Sequence, residues 1–337
     1  VMRFCLVLLG AMLMPQAAYA AEGLTVEGNR ILYHHQAVRL QGVAVGDPLL
    51  ARQGRTPEDY KVIAREWNAN AVRLSIHPST WRDIGRLEVM KRLQQEVRAA
   101  LDAGLFVILA WHTIGVPDGY YQPAPEGLPP DAYDTNFALA QDFWRHMAWQ
   151  FGADGRILFE LWNEPAFAAL PEDGGSRWMQ LKPYWQQLIA VLRQNGSANI
   201  VLATGRQWGY VLKDIPDNLL EDANTAYSWH VYPDSDKRGA EGWRENLSGL
   251  DRIKPVVVTE WGFDPEGTNG HQGTAQSFGS AFREVLLSGH ALHYTAWCWH
   301  PTWTPRMLQS DWRTPTEFGR FVKETLWQSS PEALVRP

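Results

Sequence analysis

The stretch I-L-F-E-L-W-N-E-P, Ile157 to Pro165, decides the fold. Ile157, Leu158, Phe159, Leu161 and Trp162 are apolar, the pattern of a strand buried on both faces. Gly155 before the run and Pro165 after it are breakers that keep it strand-length. At its C-terminal end an amide, Asn163, meets a carboxylate, Glu164. A buried strand tolerates a Glu only when the carboxylate is paired or sits at the strand mouth. Pro255 to Gly262, P-V-V-V-T-E-W-G, repeats the form and carries Glu260 near its end.

Working outward, other apolar runs alternate with helical patterns. Gly28-Asn29 is a hairpin turn signal, and Val38 to Val45 reads as a strand. Thr56-Pro57-Glu58-Asp59 opens a helix, with a capping hydroxyl and Pro at the first position, that runs to Trp67. Asn70 to Ile76 reads as strand and Glu88 to Leu101 as helix, followed by the strand Phe106 to His112. A long Pro/Gly/Tyr loop, Thr113 to Tyr133, is of a length usually reserved for function or mobility. Helices follow at Asn136 to Phe151, Arg177 to Arg193, Gln276 to Leu287 and Pro315 to Trp327. Strands follow at Asn199 to Thr204, Thr225 to Tyr232, Pro255 to Gly262 and Tyr294 to His300.

Eight strands alternating with helices predict an α/β fold, a single-domain (β/α)8 TIM barrel over residues 21–337. A doubly wound open sheet would carry a Gly-rich phosphate turn, and no GxGxxG or Walker motif occurs. In a barrel, function lies at the C-terminal strand mouths. The polar residues expected there are Arg73, His112, Asn163, Glu164, His230, Tyr232 and Glu260, with Trp297. One Arg or His in an apolar strand is ordinarily a satisfied core residue; the whole set at strand ends reads as one site. Two carboxylates at the exits of buried strands are the groups that glycosidic bond cleavage requires. Apolar neighbours and a facing carboxylate should raise the pKa of Glu164, and an Arg and a Tyr hydroxyl should keep Glu260 charged.

On these residues the chain resembles family 5 glycoside hydrolases, cellulase-like members of the clan whose catalytic acids follow the fourth and seventh barrel strands. The Asn-Glu-Pro at 163–165 and six further positions in chain order carry the resemblance, across about residues 24 to 328. It implies that Glu164 is the acid/base and Glu260 the nucleophile of a retaining, two-step hydrolysis. It implies too that Asn163 holds the sugar 2-hydroxyl, that His230 and Tyr232 flank the carboxylates, and that Arg73 sits beneath the nucleophile. His112 would line the subsite on the non-reducing side and Trp297 would form its floor.

The 17 Trp residues are an excess over ordinary usage. Trp81, Tyr120, Tyr121, Trp208, Trp243, Trp261, Trp303 and Trp312 lie near barrel-top loops, each with a core reading beside the functional one. Trp208, Trp261 and Trp303 are taken as subsite aromatics, stacking on the equatorial faces of a β-linked polysaccharide or oligosaccharide. An endo-β-1,4-glucanase is the leading expectation. A β-mannanase, a xylanase, an exo-glucosidase and an exopolysaccharide-specific β-glycosidase stay open, as does a catalytically retired polysaccharide-binding barrel.

Metal chemistry is not expected and no cofactor is implied. His112, His230, His271, His293 and His300 lack HExxH or His-x-His spacing, and Asp234-Ser235-Asp236 is too short for a calcium loop. A serine hydrolase would need G-x-S-x-G, which is absent.

A net charge of -6 argues against nucleic acid as a partner. Residues 1–20 read as a Sec-type secretory signal: Met2-Arg3, an apolar run to Met14, and Ala18-Tyr19-Ala20 before the cut. That run is too short to span a membrane. A secreted or periplasmic monomer is the expectation. Removing the signal removes Cys5 and leaves Cys298 alone, with a packing role. Asn246-Leu247-Ser248 matches a glycosylation sequon.

Overall fold

The alternation of apolar runs and amphipathic helices closes, in the computed structural model, into a barrel of eight parallel strands. The structure describes residues 23–50, 55–167, 177–233, 239–268, 270–288, 292–329 and 334–337. The secretory segment at 1–20 and the Asp234–Asp236 stretch lie outside the described residues.

The chain enters through a hairpin, β1 (Leu24–Glu27) and β2 (Arg30–Tyr33), turning at Gly28 with φ of 61°. The strand expected over Val38 to Val45 is two strands. β3 (Gln36–Val38) pairs antiparallel with β2, while β4 (Gln41–Ala44) begins the barrel. The chain changes sheets at Arg39-Leu40, where Leu40 is buried with the hairpin under the barrel floor. β5 (Ala71–Ile76), β6 (Phe106–Trp111), β7 (Ile157–Glu160), β8 (Val201–Thr204), β9 (Thr225–Val231), β10 (Val256–Trp261) and β11 (His293–Ala296) follow in sequence order, and β11 closes on β4.

Two strands stop well short of the ends that the sequence suggests. β7 stops at Glu160, and residues 161–165 continue as an irregular mouth; β11 stops at Ala296, before Trp297. Both carry polar or aromatic side chains that leave the pleat to reach the site.

The helices are α1 (Glu58–Arg65), α2 (Pro78–Ile84), α3 (Arg86–Asp102), α4 (Phe137–Phe151), α5 (Arg177–Gln194), α6 (Gly239–Leu247), α7 (Ser280–Leu287) and α8 (Glu317–Ser329). Their spacing departs from strict alternation among the described residues: α2 and α3 share one connection, and residues 205–224 join β8 to β9 without a helix. At the start of α1 the Thr56 hydroxyl is not the cap; the Thr56 N–H donates to the Asp59 carboxylate at 2.6 Å. Asn246, in the sequon, is buried in α6 and donates to the Gly242 carbonyl. Among the described residues no helix is long and apolar enough to cross a membrane.

Side-chain alternation sorts the strands into two cores. Val72, Leu74, Val107, Leu109, Phe159 and Val258 face the helices. Ala71, Phe106, Ile108, Leu158, Leu202, Ala226 and Val257 fill the barrel's lower interior over Leu24, Ile31 and Val38 of the hairpin sheet. One step higher on the same inward rows the residues turn polar: Arg73 follows Ala71, Glu160 follows Leu158, Thr259 follows Val257. The apolar lower layer makes the barrel rigid, and the polar upper layer is where charge must be paired.

Candidate active site

Glu260 owes its position to a break in strand pairing. The β9–β10 register shifts between Val258 and Glu260, so Thr259 has no partner of its own. Such a bulge turns two consecutive residues to one side. Thr259 and Glu260 both bond into the barrel interior, and Trp261 is thrown outward against Phe282 and Phe318. Trp261 is fully buried there and is not a subsite aromatic. Trp81 and Trp243 are likewise core residues.

Glu164 is fixed by pairing beyond β7. Asn163 N–H donates to the Trp111 carbonyl at 3.0 Å, Glu164 N–H to the Thr113 carbonyl at 3.1 Å, and Gly115 N–H to the Glu164 carbonyl at 2.9 Å. The long loop after β6 is therefore stitched to the Glu164 segment.

Arg73, fully buried, is the hub. Its Nε donates to Glu160 Oε2 at 2.5 Å, Nη1 to Glu260 Oε1 at 2.8 Å, and Nη2 to Asn163 Oδ1 at 2.7 Å. Tyr232 Oη donates to the other Glu260 oxygen at 2.8 Å. Glu164 Oε1 lies 2.8 Å from His230 Nδ1, and His230 Nε2 lies 3.0 Å from Thr259 Oγ1. The Thr259 hydroxyl in turn donates to Glu160 Oε1 at 2.8 Å.

The electrostatics separate the carboxyls. Burial and the nearby Glu260 charge raise the pKa of Glu164. Burial would raise that of Glu160 too, but Arg73 and the His230 contact bring it down to about 2. Burial opposes charge on His230, yet Glu260, Glu160 and Glu164 raise its pKa to about 9. His112 is driven well below the usual imidazole range by burial and by its cationic neighbours, so it is neutral.

On the opposite wall His112 stacks on Trp297, centroids 5.2 Å apart and planes 7° apart, and Trp297 stacks on Trp303 at 6.0 Å. Asp47 backs this wall, accepting from His77 N–H at 3.0 Å and Thr80 Oγ1 at 2.7 Å, and His77 packs edge-on against His112. Asn163 Nδ2 and His112 Nδ1 are buried and make no hydrogen bond within the chain. An unpaired buried polar atom is costly, and a sugar hydroxyl would satisfy both. Trp208 is 44% exposed; its N–H donates to the Pro165 carbonyl at 3.2 Å and its Nε1 to Gln122 Oε1 at 2.9 Å, beside the Glu164 segment. Tyr120 and Tyr121 are exposed on the same loop as Gln122.

All eight strand-mouth residues named from the sequence therefore meet in one site. Glu160, Thr259, Asp47 and Gln122 were not anticipated. Glu160 had a signal, since a Glu in mid-strand between Phe159 and Leu161 must have a buried cationic partner. Cys298 is buried beyond the end of β11, and burial pushes its thiol pKa up.

Glu164, His230 and Glu260 each bring one ligand-capable atom within 4.8 Å of the other two. The set suits a cation poorly, because the Arg73 guanidinium already occupies Glu260 and His230 favours its protonated form. His271 lies against Tyr232, His300 against Trp303, and His293 accepts from Leu40 N–H below the barrel, so the five histidines do not gather into one ligand set.

Residues 33–302 match the family model described as cellulase, glycosyl hydrolase family 5. A β-glucanase from Saccharophagus degradans, solved with cellotetraose, is 27% identical with a TM-score of 0.82, over 91% of this chain and 93% of that one. The endoglucanase Cel5A catalytic domain of Thermobifida fusca, 20% identical, superimposes with a TM-score of 0.73 over 91% of this chain and 98% of that one, a likeness of fold. Among sequence relatives, Endoglucanase A of Evansella cellulosilytica is 26% identical over 61% of this chain and 38% of its own length. Endoglucanase N of Pectobacterium atrosepticum is 24% identical over 73% of this chain and 51% of its own. The match thus spans between about a third and a half of these relatives.

Proposed function

This chain belongs to glycosyl hydrolase family 5, the cellulase family, and from that premise we propose that it cleaves internal β-1,4 bonds of a glucan with retention. One observation carries the reading: carboxylate oxygens of Glu164 and Glu260 approach within 4.8 Å from unlike surroundings. Retaining glycosidases hold their carboxyls about 5–5.5 Å apart, while inverting ones leave about 6.5–9.5 Å for a water. Glu164 is biased toward its protonated form, and Glu260 is held between Arg73 and Tyr232.

In the first step a Glu260 oxygen bonds to the anomeric carbon as the glycosidic C–O bond breaks, and the Glu164 proton passes to the leaving oxygen. In the second, Glu164 takes a proton from water, the water oxygen bonds to the anomeric carbon, and the bond to Glu260 breaks. Glu164 is again protonated. Asn163 Nδ2 and His112 Nδ1 are free to bind hydroxyls of the sugar being transferred. Trp297 offers a floor for that sugar, and Trp303 extends the platform.

The glucan assignment draws on the named relatives, which are endoglucanases, and on the β-glucanase that holds cellotetraose. Trp208, next to the acid's segment, would stack on the leaving-group side. Export by the residue 1–20 signal would bring the enzyme to its polymer; a secreted product with its N-terminus at Ala21 or Glu22 is the expected mass.

The test is release of reducing ends from carboxymethylcellulose, mixed-linkage glucan, glucomannan, galactomannan and xylan. Rapid viscosity loss on the glucans, absent in Glu260→Ala, supports the reading. Preference for the mannans keeps the mechanism and replaces the substrate. Silence across the panel favours a retired binding barrel or an unusual exopolysaccharide.

A further inference from the structure

Glu160 touches neither of the two reacting carboxyls, yet its hydrogen bonds dictate where protons lie on the acid. Its Oε2 is taken by Arg73 Nε and its Oε1 by the Thr259 hydroxyl. Beside a guanidinium that cannot give up its proton, Glu160 is an ionised acceptor. Thr259 has one hydroxyl proton, and that proton is committed to Glu160. The remaining polar contact of Thr259 Oγ1, His230 Nε2 at 3.0 Å, must therefore be a donor. With Nε2 protonated, the neutral ring presents a bare Nδ1 at 2.8 Å from Glu164 Oε1, and that oxygen must carry a proton. In the imidazolium form the same proton sits on Nδ1. Either way the Glu164–His230 pair holds it.

We propose that Glu160 is a positioning residue for the general acid: acting through Thr259, it keeps His230 protonated at Nε2 and so leaves to the contact between Nδ1 and Glu164 the proton that the leaving oxygen takes. The opposite tautomer would set Nε2 and the Thr259 oxygen face to face with no proton between them. With Nε2 bare, Nδ1–H facing an ionised Glu164 would be the only proton on the pair, one fewer than when Nε2 is protonated, and none would be left to give. After the first step the bare Nδ1 facing the Glu164 carboxylate strengthens it as the base that deprotonates water.

This inference rests on the roles given above to Glu164 and Glu260. The ionisable groups around the pair are Arg73 on β5, His112 and Tyr133 from the mouth and loop after β6, Glu160 on β7, Tyr232 after β9, and Glu260 on β10. Glu160 alone among them faces the far nitrogen of His230, through the Thr259 hydroxyl and more distantly by its own Oε1 at 3.7 Å.

The experiment is the pH profile of kcat/KM on mixed-linkage glucan, beside 15N spectra of the histidine rings assigned with His230→Asn. In Glu160→Gln the chain of donors reverses: the introduced amide donates to Thr259, Thr259 to Nε2, and Nδ1–H to Glu164. The alkaline limb should move down by about one pH unit or more, a tenfold change in the acid's dissociation, and the protonated ring nitrogen should switch from Nε2 to Nδ1. Thr259→Val should move the limb the same way while Glu160 stays, and Thr259→Ser should restore it. A folded Glu160→Gln or Thr259→Val protein with an unmoved limb and Nε2 still protonated would overturn the proposal. If the wild-type protein hydrolyses no glucan, the functional reading fails, and the ring-nitrogen spectra still decide the tautomer.

Discussion

Arg73 Nη1 lies 2.8 Å from Glu260 Oε1, a fully buried ion pair at the centre of the barrel mouth. The same guanidinium also serves Glu160, so one cation stands against two buried carboxylates. The arrangement orients Glu260 for attack, and its cost falls due when the cation is removed.

Arg73→Met is therefore expected to destabilise the protein by about 3–5 kcal/mol, the range for leaving a buried charge unpaired. Arg73→Lys should recover only part, because a point ammonium cannot serve three acceptors in a plane. Thermal unfolding of the two variants checks the order. Equal melting temperatures for wild type and Arg73→Met would remove Arg73 from its central place.

Glu164→Ala and Glu260→Ala should each lower glucan hydrolysis by about 10²–10⁴-fold or more. They should differ in rescue. Azide should restore turnover of an activated aryl β-cellobioside by Glu164→Ala with a β-glycosyl azide as product, and by Glu260→Ala with the α-azide. Reversed products would exchange the two roles.

Stability should peak on the acid side of neutrality. Glu160, depressed from its ordinary 4.5 to about 2, contributes stability that is complete above about pH 4.5 and is lost as pH falls toward 2. His230, raised from 6.5 to about 9, contributes stability that is complete below about pH 6.5 and is lost as pH rises through 9. Glu164, raised from 4.5, contributes stability that is complete below about pH 4.5 and begins to be lost as pH rises above it. Melting temperature against pH should thus be highest toward the lower end of the range from about 4.5 to 6.5. Glu160→Gln should flatten the acid side, and an unchanged acid slope would contradict the pairing with Arg73.

Two tryptophans should behave in opposite ways. Trp208→Ala should leave the melting temperature in place and lower kcat/KM on polymer several-fold, the effect of about 1 kcal/mol of stacking. Trp261→Ala should cost about 3–5 kcal/mol of stability, as for any large core aromatic. Calorimetry and initial rates on the two variants check both; a stability loss at Trp208 would make it a structural residue.

The barrel and its eight mouth residues were legible because each strand writes itself as an apolar run whose end is polar. What was not legible is geometry that sequence period does not carry. The bulge at Thr259 reverses the side on which Trp261 lies, so a Trp beside the nucleophile reads as a subsite when it is core. The break at Arg39-Leu40 separates two sheets inside one apolar run. Glu160 was visible as a charge in mid-strand, but its partner lies 87 positions away on Arg73, and only the fold joins them. The bond between Trp208 and Gln122 joins two loops in the same way, with 86 positions between them.

The most direct test of the central claim is to trap the enzyme with a 2-deoxy-2-fluoro-β-cellobioside bearing a good leaving group and map the label by mass spectrometry of peptides. The account predicts one added sugar on the peptide containing Glu260, attached to that carboxylate and absent in Glu260→Ala. A label on Glu164, or active turnover of glucan with an α-configured first product and no label at all, would contradict it.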